Sequence, residues 1–418
     1  MQIRFSKYLI HRLLLISFCI PLAVAAAASP DSTAGDSLKI NLEKAKGDTP
    51  WCAWIADALM SRYPKYAVYD TSNIKWDYDQ ALVEHALWNV WNKTGDRRYL
   101  NYLKRNIDYF LTPDGNLKTY NFNQFRLDDL LHGRTLLDLY KLTGDRKYKN
   151  AVDTLRKQIA EQPRTPEGGF WHKEIYPDQM WLDGLYMAEP FYSEYAEVFD
   201  EHRDFDDVAR QFILMSKNSL DAVTGLIYHG WDYSRKQKWS DSTTGCSRVF
   251  WGRAMGWYIM GLVDVLDYFP KDHPDRRKLL TILRNLSESI CKFQDNRTHL
   301  WYQVVDQPSR SGNYPEASAS AMFMYAFAKG ATKGYLPRKY FTISLGVFDG
   351  LVSNLMRLDS SGLPSLSNVC TGAGLGGDPY RDGSYEYYVS VPKSDDDFKG
   401  DGAFILGAVE LEKAGLIK

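Results

Sequence analysis

The sequence predicts an all-α fold, an array of helical hairpins with short strands in the connecting loops. Three observations point to it. First, "LWNVWNKTGDRRYLNYLKRNIDYF" and "LLDLYKLTGDRKYKNAVDTLRKQI" share one plan: an apolar face at helical spacing, Thr-Gly-Asp with two basic residues, then a second amphipathic run. Second, a glycine-bearing stretch with bulky neighbours recurs after the helical pairs, as in "PDGNLKTYNF", "PEGGFWHKEI", "VTGLIYHGWD", "RTHLWYQVVD" and "SSGLPSLSNV". The spacing, roughly 50–70 residues, is that of repeated helix pairs. Third, long helical patterns cover 206–222, 254–269, 275–293, 317–333 and 338–357, with no alternating strand runs of similar length.

Taken in chain order, the N-terminus reads as a targeting segment. Arg4, Lys7, His11 and Arg12 form a basic region, Leu13 to Ala25 is apolar, and Ala26-Ala27-Ala28 is a small-residue cleavage site. Residues 1–28 are therefore expected to be a signal peptide. Residues 29–418 are expected to form one domain, secreted or periplasmic, with no stable membrane insertion. In the duplicated turns, Gly95 and Gly144 should end one helix, and Asp96 and Asp145 should cap the next. A turn joining two antiparallel helices explains this repeat without invoking function. The remaining cysteines, Cys52, Cys246, Cys291 and Cys370, lie far apart and read mostly as buried thiols; the spacing leaves their bonding open.

Composition narrows the function. The chain has 51 Lys and Arg against 52 Asp and Glu, so no global field draws it to nucleic acid or an anionic membrane. Its 12 Trp and 28 Tyr could stack on sugar faces, although most such rings fill cores.

Three loops carry the candidate chemistry. In "FNQFRLDDLLHGRTLLDLY", Asp128 and Asp129 precede an apolar helix; alone they read as a solvated N-terminal acid pair. In "GGFWHKEIYPDQMWLDGLYM", His172, Lys173 and Asp183 stand amid aromatics. Asp183 is flanked by Met180, Trp181, Leu182, Leu185, Tyr186 and Met187, a setting that suits a proton donor more than a structural acid. The long stretch "YHGWDYSRKQKWSDSTTGCSRVFWGRAMGWY" adds His229, Trp251, Arg253 and Trp257, with a helix from about 254. Two carboxylates, two histidines, a lysine and an arginine on an aromatic background make a plausible pocket for an acidic sugar.

Other signals fall away. "GAGLGG" at 372–377 is followed by no helix, so it marks no dinucleotide site. No His-Glu-x-x-His or tight His/Cys cluster points to a metal, and Asp395, Asp396 and Asp397 read as a solvated loop. No cofactor is expected.

The blocks "GGFWHKEIYPDQMWLDGLYMAEPF", "WGRAMGWY", "EASASAMFMYAFAKGATKGYL" and "DPYRDGSYEYYVS" resemble glycoside hydrolase family 105, the unsaturated rhamnogalacturonyl hydrolases, from about Leu38 onward. The resemblance implies a six-hairpin (α/α)6 barrel acting on pectin-lyase products that end in a 4,5-unsaturated uronic acid. It places the catalytic acid on Asp183 and the second active-site acid on Asp128. By the same matching His172, His229, Trp251, Arg253 and Trp257 occupy substrate-binding positions, and Lys173, read from its own loop, is added to them as a helper of Arg253 in holding an anion. Many relatives have one acid where this chain has two, so Asp128 and Asp129 remain alternatives. Other unsaturated glucuronyl or galacturonyl substrates, a glycosidase using paired carboxylates and a non-catalytic glycan-binding protein are the competing readings.

Overall fold

The structure is a computed structural model describing residues 32–70 and 72–418. The expected signal peptide lies outside the described residues. The helices are α1 (Ser32–Lys46), α2 (Trp51–Arg62), α3 (Tyr78–Thr94), α4 (Arg97–Phe110), α5 (His132–Thr143), α6 (Arg146–Glu161) and α7 (Leu182–Val198). They continue as α8 (Asp204–Ser219), α9 (Gly252–Tyr268), α10 (Arg276–Cys291), α11 (Ala317–Thr332), α12 (Lys339–Asn354), α13 (Tyr385–Ser390) and α14 (Phe398–Lys413).

Six of these form an inner ring in which α3, α5, α7, α9, α11 and α14 each pack on the next, and α14 returns to α3. Outside it, α4, α6, α8, α10 and α12 each pack on the inner helix that precedes them, while α2 packs on α14. The fold is an (α/α)6 barrel. Composition explains the layering. Inner α9 is buried without a break from Gly252 to Leu266, whereas outer α4 buries only one face, including Tyr99, Leu103, Ile107 and Phe110.

The duplicated turns behave as expected. Gly95 and Gly144 adopt left-handed φ values of 74° and 68°, and Asp96 and Asp145 accept the backbone N–H groups of Arg98 and Lys147. The expected helices are present but several end earlier, as α8 does at Ser219, because the following residues turn into the glycine-bearing loops. Those loops close on themselves through short antiparallel bridges such as Leu111 with Leu117 and Arg164 with Phe170.

Closure is also visible at the end where the inner helices begin. Trp76 Nε1 donates to the Asp129 carbonyl (2.8 Å), Leu127 N to His172 O (3.1 Å) and Leu182 N to His229 O (2.9 Å). The chain of contacts continues with Gly252 N to Gln303 O (3.0 Å), Ala317 N to Asn368 O (3.1 Å) and Phe398 N to the Tyr69 hydroxyl (2.6 Å). Six loops distant in sequence are thus sewn into one rim. Six helix N-termini meet there, a concentration of partial positive charge that favours an anionic ligand.

Deeper in the barrel, Asp264 accepts from Arg134 (2.6 Å), Lys329 (2.6 Å) and Tyr325 (2.7 Å), tying α5, α9 and α11 together. The four cysteines among the described residues are free, and Cys291 is the one of them not fully buried. The acidic run departs from the solvated loop expected of it. Asp395 is exposed, but Asp396 lies 3.3 Å from Arg62, and Asp397 is buried as the cap of α14, 2.9 Å from Lys399. The demand of a buried helix start for an acceptor draws Asp397 inward.

Candidate active site

Strand pairing sets the centre of the site. β1 (Gln179–Trp181) runs antiparallel to β2 (Gly230–Asp232), with Trp181 opposite Gly230. The register brings His229 beside the start of α7, where Asp183 lies in the first turn. His229 Nε2 is 3.0 Å from Asp183 Oδ2, although neither atom has an aligned hydrogen bond. The side chains flanking Asp183 in sequence are buried, yet its own side chain keeps 14% of its exposure. The helix turns those neighbours into the core and leaves the carboxylate facing His229, so the apolar crowd read from sequence is not its whole environment.

The other acid is held differently. Asp128 and Asp129 are only 5% and 3% exposed, which overturns the solvated-pair reading. They occupy a short 3₁₀ turn, Leu127–Leu130, that is pinned to the His172 loop and packed under α7. Asp128 Oδ2 meets Lys173 Nζ at 2.6 Å and Arg126 at 3.7 Å, while Oδ1 lies 3.5 Å from His172 Nε2. Burial pushes this carboxyl up, but Lys173, His172 and Arg126 outweigh it and hold it well below the usual range. Asp129 has only Arg126 at 3.7 Å, and burial, with the charges of Asp128 and Asp77, raises it to about 7. Burial also lowers His172 to about 4, so it is neutral at physiological pH. His172 stacks on Trp181 with ring centroids 4.4 Å apart. A side chain at Gly184 would come within 3.0 Å of His172 Nδ1, so this position must stay small.

On the opposite side, Trp251 lies 4.8 Å from the His229 ring and is fixed by its Nε1 donating to Gln303 Oε1 (3.0 Å). Arg253, in the first turn of α9, lies over Trp251 at 5.5 Å. Its guanidinium donates to the Cys370 carbonyl and lies 3.5 Å from Glu316, leaving Nε and Nη1 without hydrogen-bond partners. Trp257 is a step removed. It is 1% exposed and stacks on Tyr186 at 5.0 Å, so it supports the site from beneath.

The structure therefore brings together Asp128, Lys173, His172, Asp183, His229, Trp251 and Arg253, and sets Trp257 behind them. Sequence reasoning missed Arg126, Gln303 and Tyr388. Arg126 stands two residues before Asp128 and was legible as a neighbour. Gln303 and Tyr388 carry no local signal.

Comparison with known proteins identifies the family and agrees with the helical-barrel fold. The profile of glycosyl hydrolase family 88 matches residues 51–414. The chain belongs to the family 88/105 glycoside hydrolases. A family 105 glycoside hydrolase from C. acetobutylicum ATCC 824 is 41% identical, with a TM-score of 0.84 over 87% of this chain and 100% of that one. The unsaturated rhamnogalacturonyl hydrolase YesR of Bacillus subtilis is 29% identical over 306 residues, 70% of this chain and 82% of YesR. An unsaturated glucuronyl hydrolase from Bacillus sp. GL1 shares the fold at 13% identity, with a TM-score of 0.67 over 90% of this chain and 98% of that one. The family 88/105 assignment makes this chain a glycosidase with a helical barrel.

Proposed function

We propose that this enzyme releases the terminal 4,5-unsaturated uronic acid from lyase-generated rhamnogalacturonan oligosaccharides by hydrating the C-4/C-5 double bond. The observation carrying this reading is the unequal setting of the two acids. Asp128 is clamped as an anion by Lys173 at 2.6 Å, whereas the group set against Asp183 is the imidazole of His229. A glycosidase acting on an intact bond works with two carboxyl groups flanking that bond. Hydration needs one group that gives a proton to C-4 and, as carboxylate, takes one from the water adding at C-5. Asp183 fits that part. The resulting hemiketal opens and expels the neighbouring sugar.

The surrounding residues suit an unsaturated uronate. Arg253 has two nitrogens, Nε and Nη1, without partners and suited to the uronate carboxylate, Trp251 backs the site with an aromatic wall, and His172, Lys173 and His229 offer polar contacts. The name of YesR supports rhamnogalacturonan as the source polymer. The basic and apolar N-terminal run supports export.

The deciding assay is digestion of a lyase-generated rhamnogalacturonan disaccharide with near-ultraviolet detection. Hydration destroys the conjugated enol ether, so absorbance falls as reducing sugar appears. Full sugar release with undiminished absorbance would point to a saturated-bond glycosidase. No change in either signal, here and with unsaturated glucuronyl disaccharides, would leave only glycan binding.

Anion recognition has its own test. Arg253→Lys keeps the charge but loses the planar fork, and is expected to lower kcat/KM about tenfold or more. Parent-like kinetics in Arg253→Ala would remove this residue from the substrate site.

A further inference from the structure

Tyr388, in the short helix α13, is fully buried, and its hydroxyl lies 2.6 Å from His229 Nδ1. That nitrogen is the far side of the ring whose Nε2 lies 3.0 Å from Asp183. The two contacts make a line from a phenol through an imidazole to the proposed acid. Tyr388 is held firmly in it. Its carbonyl accepts from Gln303 Nε2 (3.0 Å), and the same amide receives Trp251 Nε1 through its oxygen. Its ring packs 5.7 Å from Trp251 and 6.0 Å from His229.

Resting on the proposed role of Asp183, we infer that Tyr388 is a positioning residue, fixing His229 in the tautomer that presents Nε2–H to the Asp183 carboxylate. The direction follows from donor and acceptor counts. Among the described residues the Tyr388 hydroxyl has no hydrogen-bond partner except His229 Nδ1. A buried phenol must place its one proton somewhere, and Nδ1 is the acceptor within reach. Burial also holds this phenol well above its ordinary range, so it keeps that proton. A neutral imidazole that accepts at Nδ1 carries its hydrogen on Nε2, the atom facing Asp183.

The consequence is specific to proton transfer. When Asp183 gives its proton to carbon it becomes a carboxylate, and an N–H at 3.0 Å then stabilises it as the base for the incoming water. The reverse tautomer would aim a lone pair at the same oxygen and oppose that charge. Other titratable groups near the line are His172 and Lys173 from the loop before α7, Asp128 from the turn before α5, and Cys370, Arg381 and Tyr387 from the segment before α14. None of them has a hydrogen bond to His229 Nδ1.

Two measurements on the full chain test this. Histidine-selective ¹⁵N NMR on the ligand-free protein, with His229→Gln to assign the signal, should report the Nε2–H tautomer. Tyr388→Phe, which keeps the ring against Trp251, should give a mixture of tautomers. In the same variant, kcat should fall about tenfold with KM little changed, and the alkaline limb of the pH–rate profile should move up by about one unit. That direction follows because losing the N–H donor favours the protonated acid. An Nδ1–H tautomer in the parent, or a Tyr388→Phe profile superimposable on the parent, would overturn the inference. The NMR readout needs no turnover, so it stands apart from failure of the proposed activity: an inactive parent with the expected tautomer would indict the function and leave the positioning intact.

Discussion

Asp183→Asn is expected to fold, to bind substrate and to turn over about 10²–10⁴-fold more slowly, the usual worth of a positioned acid or base. The amide fills the same volume and can accept from His229 Nε2–H, but it cannot deliver a proton to carbon. Thermal stability should hold, because the side chain is not sealed in the core and its polar neighbour is the His229 ring at 3.0 Å, which the amide can still face. Melting temperature and turnover measured on one preparation separate the alternatives. A destabilised but active Asp183→Asn protein would make Asp183 a structural element. The acid would then be sought at Asp129, whose carboxyl is already raised to about 7 by burial.

What the sequence reveals about this site, and what it hides, follows from the range of the interactions involved. Thr-Gly-Asp turns are local, so Gly95, Asp96, Gly144 and Asp145 are legible: each cap depends on residues within one turn. Helical hairpins follow from the same local patterns. Closure of the ring depends on α14 meeting α3, a contact across more than three hundred residues, and periodicity is silent on it. Asp128 and Asp129 show the same limit. As an acid pair before a helix they look solvated, and only the arrival of the His172–Lys173 loop and of α7 buries them. Tyr388 stands in "YEYY" among residues of its own kind, and its partner His229 is 159 positions away. Composition marks the aromatic wealth of the chain but not which ring carries a polar task.

The long-range contact between Lys173 and Asp128 gives the second large expected effect. Lys173→Met leaves a buried carboxylate with Arg126 at 3.7 Å as its remaining cationic neighbour, since His172 at 3.5 Å is neutral at physiological pH. Orphaning a buried charge costs about 3 kcal/mol, so the variant should be less stable by about that much at pH 7. The pH dependence has a definite sign. In the parent, Asp128 is held below its ordinary value, so its contribution is present above about pH 4, the range of an unfolded aspartate, and is lost as pH falls through the lower folded value. In the variant, burial is no longer outweighed and the carboxyl rises instead. Its penalty is then greatest at neutral pH and relaxes as acid protonates the group. Denaturant unfolding at a series of pH values should show the gap between variant and parent narrowing between about pH 6 and 4. A gap that stays constant across that range would mean that Lys173 acts through the packing of its aliphatic stem. Asp128 would then be held as an anion by Arg126, and the unequal setting of the two acids would rest on a different cation.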